Sequence, residues 1–114
     1  MKNMCGICGI YNLYEKKPIE EKIVDKMLYA IRHRGPDGEK KYVTDRVALG
    51  FNRLSFLDLT GGMQPLFNET KEISMVCNGE IFNYQELKVK LLEQGHHFRT
   101  ATDVEVILHL YEEY

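Results

Sequence analysis

The sequence predicts an α+β domain, and three observations carry that prediction. Candidate strands fill most of the chain, amphipathic segments close it, and the connections between them are short and rich in Gly, Pro, Asn and Asp. Strands that are not regularly separated by helices suit stacked layers better than alternating βαβ units.

The elements follow in order. Ile7 to Leu13 alternates loosely between apolar and small or polar residues and reads as a first strand with Ile and Tyr inward; Cys5 stands at its start. After Pro18, the run IEEKIVDKMLYAIRHRG reads as a helix. Pro is tolerated in a first turn, two Glu suit the positive end, and Ile23, Met27 and Ile31 share a face. Gly35 and Pro36 end that helix, and RHRGPDGE is a loop. KYVTD and RVALGFNRLSFLDL read as strands, with Val47, Leu49 and Phe51 alternating before Arg53 interrupts the pattern. GGMQPLFNE is a turn-rich connection, and KEISMVCNGEIFN is a strand that breaks at Asn78 and Gly79. A helix from about Tyr84 to Glu93 buries Leu87, Leu91 and Leu92 and stops at Gly95. In TATDVEVILHLYEEY, Thr102 and Glu105 form a capping box, and Val104, Ile107, Leu108 and Tyr111 form an apolar stripe.

Composition narrows the function. The chain has 114 residues, room for one small domain, with 44% hydrophobic and 28% charged residues, ordinary for a folded protein. Fifteen basic and 17 acidic residues are scattered, without a basic block, so nucleic acid is not an expected partner. No apolar run approaches the roughly 20 residues of a membrane span, and no signal peptide is recognisable. Neither a membrane nor an export route is expected, and a cytoplasmic location follows.

Cys5, Cys8 and Cys77 are three thiols and cannot all pair. A lone CxxC is half a zinc site, and the adjacent His96 and His97 do not complete the set, so no metal site is expected. A cysteine that begins a chain offers different chemistry. A free α-amino group has a reference pKa of about 7.7 to 8.0 and acts as a base near neutral pH, so one residue supplies nucleophile and base together. The oxyanion then needs donors, and Asn78 and Gly79 have the right type. Arg53 can hold a substrate carboxylate bidentately, and Asp103 or Glu80 can hold an ammonium group.

Five motifs occur in order: MCGI, RHRGPDG, RLSFLDLTGGMQPL, NGEIFNY and TATDVEVILHLYEEY. Together, from Met4 to Tyr114, they resemble the glutaminase domain of glutamine-hydrolysing asparagine synthetases, class II amidotransferases of the N-terminal nucleophile hydrolase fold. The resemblance implies a layered αββα arrangement with mostly antiparallel sheets, of which residues 1–114 are the N-terminal, truncated part, the synthetase domain being absent. It implies that Cys5 attacks the glutamine side-chain amide to form a γ-glutamyl thioester, with its own α-amine as base, and that Asn78 and Gly79 form the oxyanion hole. Arg53 matches the partner of the glutamine α-carboxylate, and Glu80 and Asp103 match the holders of its α-amino group. Phe56 and Leu57 match backbone positions lining the pocket, and Arg34 and Gly35 match the loop at its mouth.

The implied partners are L-glutamine and, in the full-length enzyme, a synthetase domain that uses ATP and magnesium to make asparagine from aspartate. No cofactor is expected within this segment. An amidotransferase acting on a sugar or cell-surface acceptor, or a non-catalytic remnant, are the alternatives. Because MKN precedes Met4, the resemblance also implies a start at Met4 or removal of the extension, so that Cys5 becomes terminal. Cys8 and Cys77 acquire no role; a buried, inert thiol is the expectation for Cys8.

Overall fold

The computed structural model describes residues 5–54 and 63–114. Strand β1 (Gly6–Tyr11) is followed by helix α1 (Glu21–Ala30), a single 3-10 turn at Arg32–Arg34, and strands β2 (Gly38–Val43) and β3 (Val47–Arg53). Two short strands, β4 (Leu66–Phe67) and β5 (Ser74–Met75), and two helices, α2 (Tyr84–Glu93) and α3 (Glu105–Glu113), complete the described elements. The architecture is α+β, with both sheets antiparallel.

In the three-stranded sheet β3 lies between β1 and β2, pairing Ile7 with Phe51 and Tyr42 with Leu49. Thr44 makes the β2–β3 turn: its hydroxyl accepts from the N–H groups of Arg46 and Val47 at 3.3 and 3.0 Å. This is local side-chain capping of a tight turn.

One face of the sheet is covered by α1. Ile19, Val24, Leu28 and Ala48 form a buried cluster there, joined by Cys8, Ile10 and Val43. Asn52, also fully buried, donates through Nδ2 to the Leu28 carbonyl oxygen at 2.9 Å and ties the helix to the strand. On the other side Tyr42 meets Phe67 edge to face at 4.9 Å, linking the large sheet to the small one. Behind the small sheet, Leu66, Val104 and Leu108 are buried with Ile73, Met75 and Ile107 packed against them.

Several expected faces differ. Helix α1 buries Val24 and Leu28, while Ile23 is exposed and Met27 and Ile31 are half-buried, because the residues that meet Ala48 lie one position further along. Strand β1 turns Cys8 and Ile10 to the core and leaves Ile7 and Tyr11 exposed. Leu92 and Tyr111 are also exposed, so the stripes of α2 and α3 are narrower than their hydrophobic periodicity suggests.

The Thr102–Glu105 capping box does not form. The residue capping α3 is Val104, so Glu105 occupies the first helical position rather than the third. From there its buried carboxylate reaches back, accepting from the N–H groups of Arg99 and Thr100 at 2.8 Å each and from the Thr100 hydroxyl at 2.5 Å. Helix α2 ends as its sequence predicts. Gly95 takes φ +95°, its N–H reaches the Leu92 carbonyl at 3.1 Å, and the His96 N–H reaches the Leu91 carbonyl at 3.1 Å. That pair of bonds is a Schellman motif, and it turns His96 back toward α3.

Candidate active site

The sequence scatters the candidate residues over about 100 positions, and the fold brings most of them to one cleft. Cys5, Arg53, Asn78, Gly79 and Asp103 all line a hollow of about 300 Å³. Cys5 precedes β1, Arg53 ends the neighbouring β3, Asn78 and Gly79 follow β5, and Asp103 precedes α3. Glu80 lies on an adjoining depression with Ile81, Phe82 and Tyr84, which shares Ala101, Thr102 and Asp103 with the cleft. Phe56 and Leu57 fall outside the described residues.

Hydrogen bonds fix the Cys5 end of the cleft. The Leu54 N–H donates to Cys5 Sγ at 3.3 Å, placing the thiol against the last residues of β3. Arg34 Nε donates to the Cys5 carbonyl oxygen at 3.5 Å, and the Asp37 N–H donates to the Arg53 carbonyl oxygen at 2.9 Å. The RHRGPDG loop therefore braces both Cys5 and Arg53. Gly35 packs so tightly in that brace that a Cβ there would sit 2.5 Å from the Asn52 carbonyl oxygen.

The opposite wall is held by two residues whose side chains act as backbone. Gln64 spends both ends of its amide on Cys77: Nε2 donates to the Cys77 carbonyl oxygen at 3.0 Å, and Oε1 accepts from the Cys77 N–H at 2.5 Å. This positions the chain one residue before Asn78. Sequence reading missed Gln64; its one signal is a polar residue directly before Pro65 in an otherwise apolar connection. Asp103 accepts from the Ile81 N–H through Oδ2 at 2.6 Å, which ties the start of α3 to the Asn78–Gly79 bend. Its Oδ1 is contacted by the Thr102 hydroxyl at 3.5 Å.

Burial raises the thiols of Cys8 and Cys77 above their ordinary range, with the Asp103 charge adding to the effect at Cys77. Cys8 packs on the α1 side of the sheet, while Cys5 lies in the cleft. The CxxC is thus two residues with separate environments.

A family model described as a glutamine amidotransferase domain matches residues 4–114. The chain belongs to the glutamine amidotransferase domain family. Within that family it is 47% identical over 112 residues to asparagine synthetase [glutamine-hydrolyzing] 2 of Bacillus subtilis, covering 96% of this chain and 15% of that protein. It is 41% identical over 111 residues to the maize asparagine synthetase [glutamine-hydrolyzing], covering 97% of this chain and 19% of that one. A third relative, asparagine synthetase [glutamine-hydrolyzing] 1 of Arabidopsis thaliana, is 42% identical over 111 residues, with the same coverage of 97% and 19%. The chain spans less than a fifth of the length of these curated relatives. Among the described residues no helix is long and apolar enough to cross a membrane.

Proposed function

We propose that this chain is the N-terminal part of a glutaminase domain of the αββα N-terminal nucleophile class, which releases ammonia from L-glutamine for asparagine synthesis. The observation that carries the reading is the convergence of Cys5, Arg53, Asn78, Gly79 and Asp103 on one cleft. A thiol, an amide beside a glycine N–H, a guanidinium and a carboxylate suit an amino acid whose side chain ends in a carbonyl. They do not suit a nucleoside triphosphate. ATP and magnesium serve the activation of aspartate in the synthetase portion of the full-length enzyme.

The chemistry proceeds from the positions of these groups. Arg53 receives the α-carboxylate as a bidentate partner, and Asp103 receives the α-ammonium through Oδ1, the oxygen not held by Ile81. Glu80, on the adjoining depression, adds negative charge on the ammonium side. With residues 1–4 removed, the Cys5 α-amine takes the thiol proton as Sγ adds to the side-chain amide carbon. The Asn78 side chain and the Gly79 N–H stabilise the oxyanion. The proton passes to the departing nitrogen, ammonia leaves, and a γ-glutamyl thioester remains. Water adds to the thioester, sulfur leaves with a proton, and glutamate is released.

The test is incubation of the native protein with an electrophilic glutamine analogue, followed by peptide mass spectrometry. A single adduct on Cys5, competed by glutamine and absent in Cys5→Ala, is the expected result. Labelling of Cys8 or Cys77 instead, or an intact Met1 on a protein that hydrolyses glutamine, would overturn the mechanism.

A further inference from the structure

We infer that Glu69, His96, His109 and Glu112 bind one divalent transition-metal ion, zinc by the chemistry of the donors, which pins the turn between β4 and β5 and the end of α2 to α3. Sequence spacing sets His96 beside His97 and points to no such site. The fold sets His96 beside His109 instead, with ring centroids 5.2 Å apart.

Each donor is delivered by local structure. The Schellman turn at Gly95 directs His96 toward α3. His109 and Glu112, three apart on α3, share a helical face. The turn after β4 carries Glu69; Asn68 organises it by accepting from the Ile73 N–H through Oδ1 at 3.0 Å and from the Lys71 N–H through its carbonyl at 3.1 Å.

The donor atoms all lie within 4.8 Å of one another. Glu69 Oε1 lies 3.0 Å from His109 Nδ1 and 3.3 Å from His96 Nδ1, and Glu112 Oε2 lies 3.7 Å from His96 Nδ1 and 4.0 Å from His109 Nδ1. Tetrahedral zinc with bonds near 2.0 Å separates its ligands by about 3.3 Å. Two imidazoles with two carboxylates are a borderline-soft set that favours zinc over calcium or magnesium.

The far ring nitrogens are held by carboxylates outside the donor set. His96 Nε2 is 2.7 Å from Glu113 Oε2, and His109 Nε2 is 3.4 Å from Glu105 Oε1. Each ring therefore has its Nε2 on an outer carboxylate and its Nδ1 toward Glu69 and Glu112. This carboxylate–imidazole–metal order is how proteins orient ligating histidines. His109 is fully buried, and among the described residues its Nδ1 has no hydrogen-bond partner although Glu69 Oε1 lies 3.0 Å away.

Charge gives the same answer independently. Glu69, Glu105, Glu112 and Glu113 surround two imidazoles, so even two imidazolium rings would leave two negative charges in excess. Arg99, bound to the Glu69 carbonyl oxygen at 3.3 Å, offsets one of them. The Glu69 and Glu112 side chains retain 22% and 31% exposure, which gives an ion a path from solvent.

The experiment is calorimetric titration of chelator-treated protein with zinc, magnesium as the comparison, on the native protein and on His96→Gln and Glu112→Gln. The expected result is one zinc per chain, no comparable magnesium binding, and affinity at least about tenfold weaker in each variant. Zinc should also raise the melting temperature of the native protein and not that of the variants. Zinc binding unchanged in both variants would assign the ion to the cysteines and overturn the site. No zinc binding would overturn it as well, leaving a cluster held by protons alone. Equal binding of magnesium would reduce it to an acidic patch.

Discussion

Two polar regions of this molecule differ in kind. The cleft around Cys5 carries its candidate residues on loops and strand ends that are half-buried or exposed, and their side chains are spaced to admit a ligand. The cluster around His109 is tight, with its donors within 4.8 Å of one another and its central ring wholly buried. Open spacing leaves room for a substrate to complete the interactions, whereas close packing of like acceptors leaves room for an ion. The two regions share α3: Asp103 stands just before its first turn and Glu112 in its last. A helix fixed at both ends holds the Asn78–Gly79 bend through Asp103 and Ile81.

Substitutions separate the two regions by what they change. Asn78→Ala is expected to lower kcat for glutamine hydrolysis by about 10²- to 10³-fold with little change in KM, read from steady-state kinetics. Its melting temperature should stay near that of the native protein. His109→Ala in chelated buffer is expected to lower stability by on the order of 3 kcal/mol, read from urea unfolding, because the buried Glu105 carboxylate loses the ring beside it.

The smallest effect is a pH dependence. Burial favours the neutral form of Glu69, but the N–H groups of His97 and of Glu69 itself, with Glu112 and His109, outweigh it and hold the carboxyl at about 2. A folded value below the unfolded one contributes stability above the ordinary carboxylate range that is lost as pH falls toward 2. His96 is shifted the other way, raised by its hydrogen bond to Glu113 against burial, with Glu69 and Glu112 adding to the rise. Its contribution is complete below about 6.5 and is lost as pH rises through the folded value. Unfolding midpoints of metal-free protein should therefore peak between these limits, and Glu69→Gln should flatten the acid side. An unchanged acid limb would separate Glu69 from the cluster's stability.

The two regions were not equally legible in the sequence. Cys5, Asn78, Gly79, Arg53 and Asp103 sit in short motifs whose residue types announce their chemistry, and they meet in the cleft. Element order, apart from β4 in the stretch read as a turn-rich connection, and the Gly95 stop were legible for the same reason, since caps and turns are local. The His109 cluster was not, because its members are brought together by the packing of α2, α3 and a turn, which no spacing encodes. The apolar faces of α1 and β1 were misplaced because periodicity cannot say which side a neighbour covers. Glu105 was misassigned since a Thr-x-x-Glu pattern does not reveal where the helix begins.

The absence of a side chain at position 35 has a mechanical meaning. The loop backbone rests directly on the backbone of Asn52 and Arg53, with no compressible layer between them. Any displacement of RHRGPDG is thereby transmitted to the guanidinium-bearing end of β3, and thermal motion of the two should be correlated. Saturating that codon would return glycine alone under selection for glutamine use, although residue 35 lines no part of the cleft.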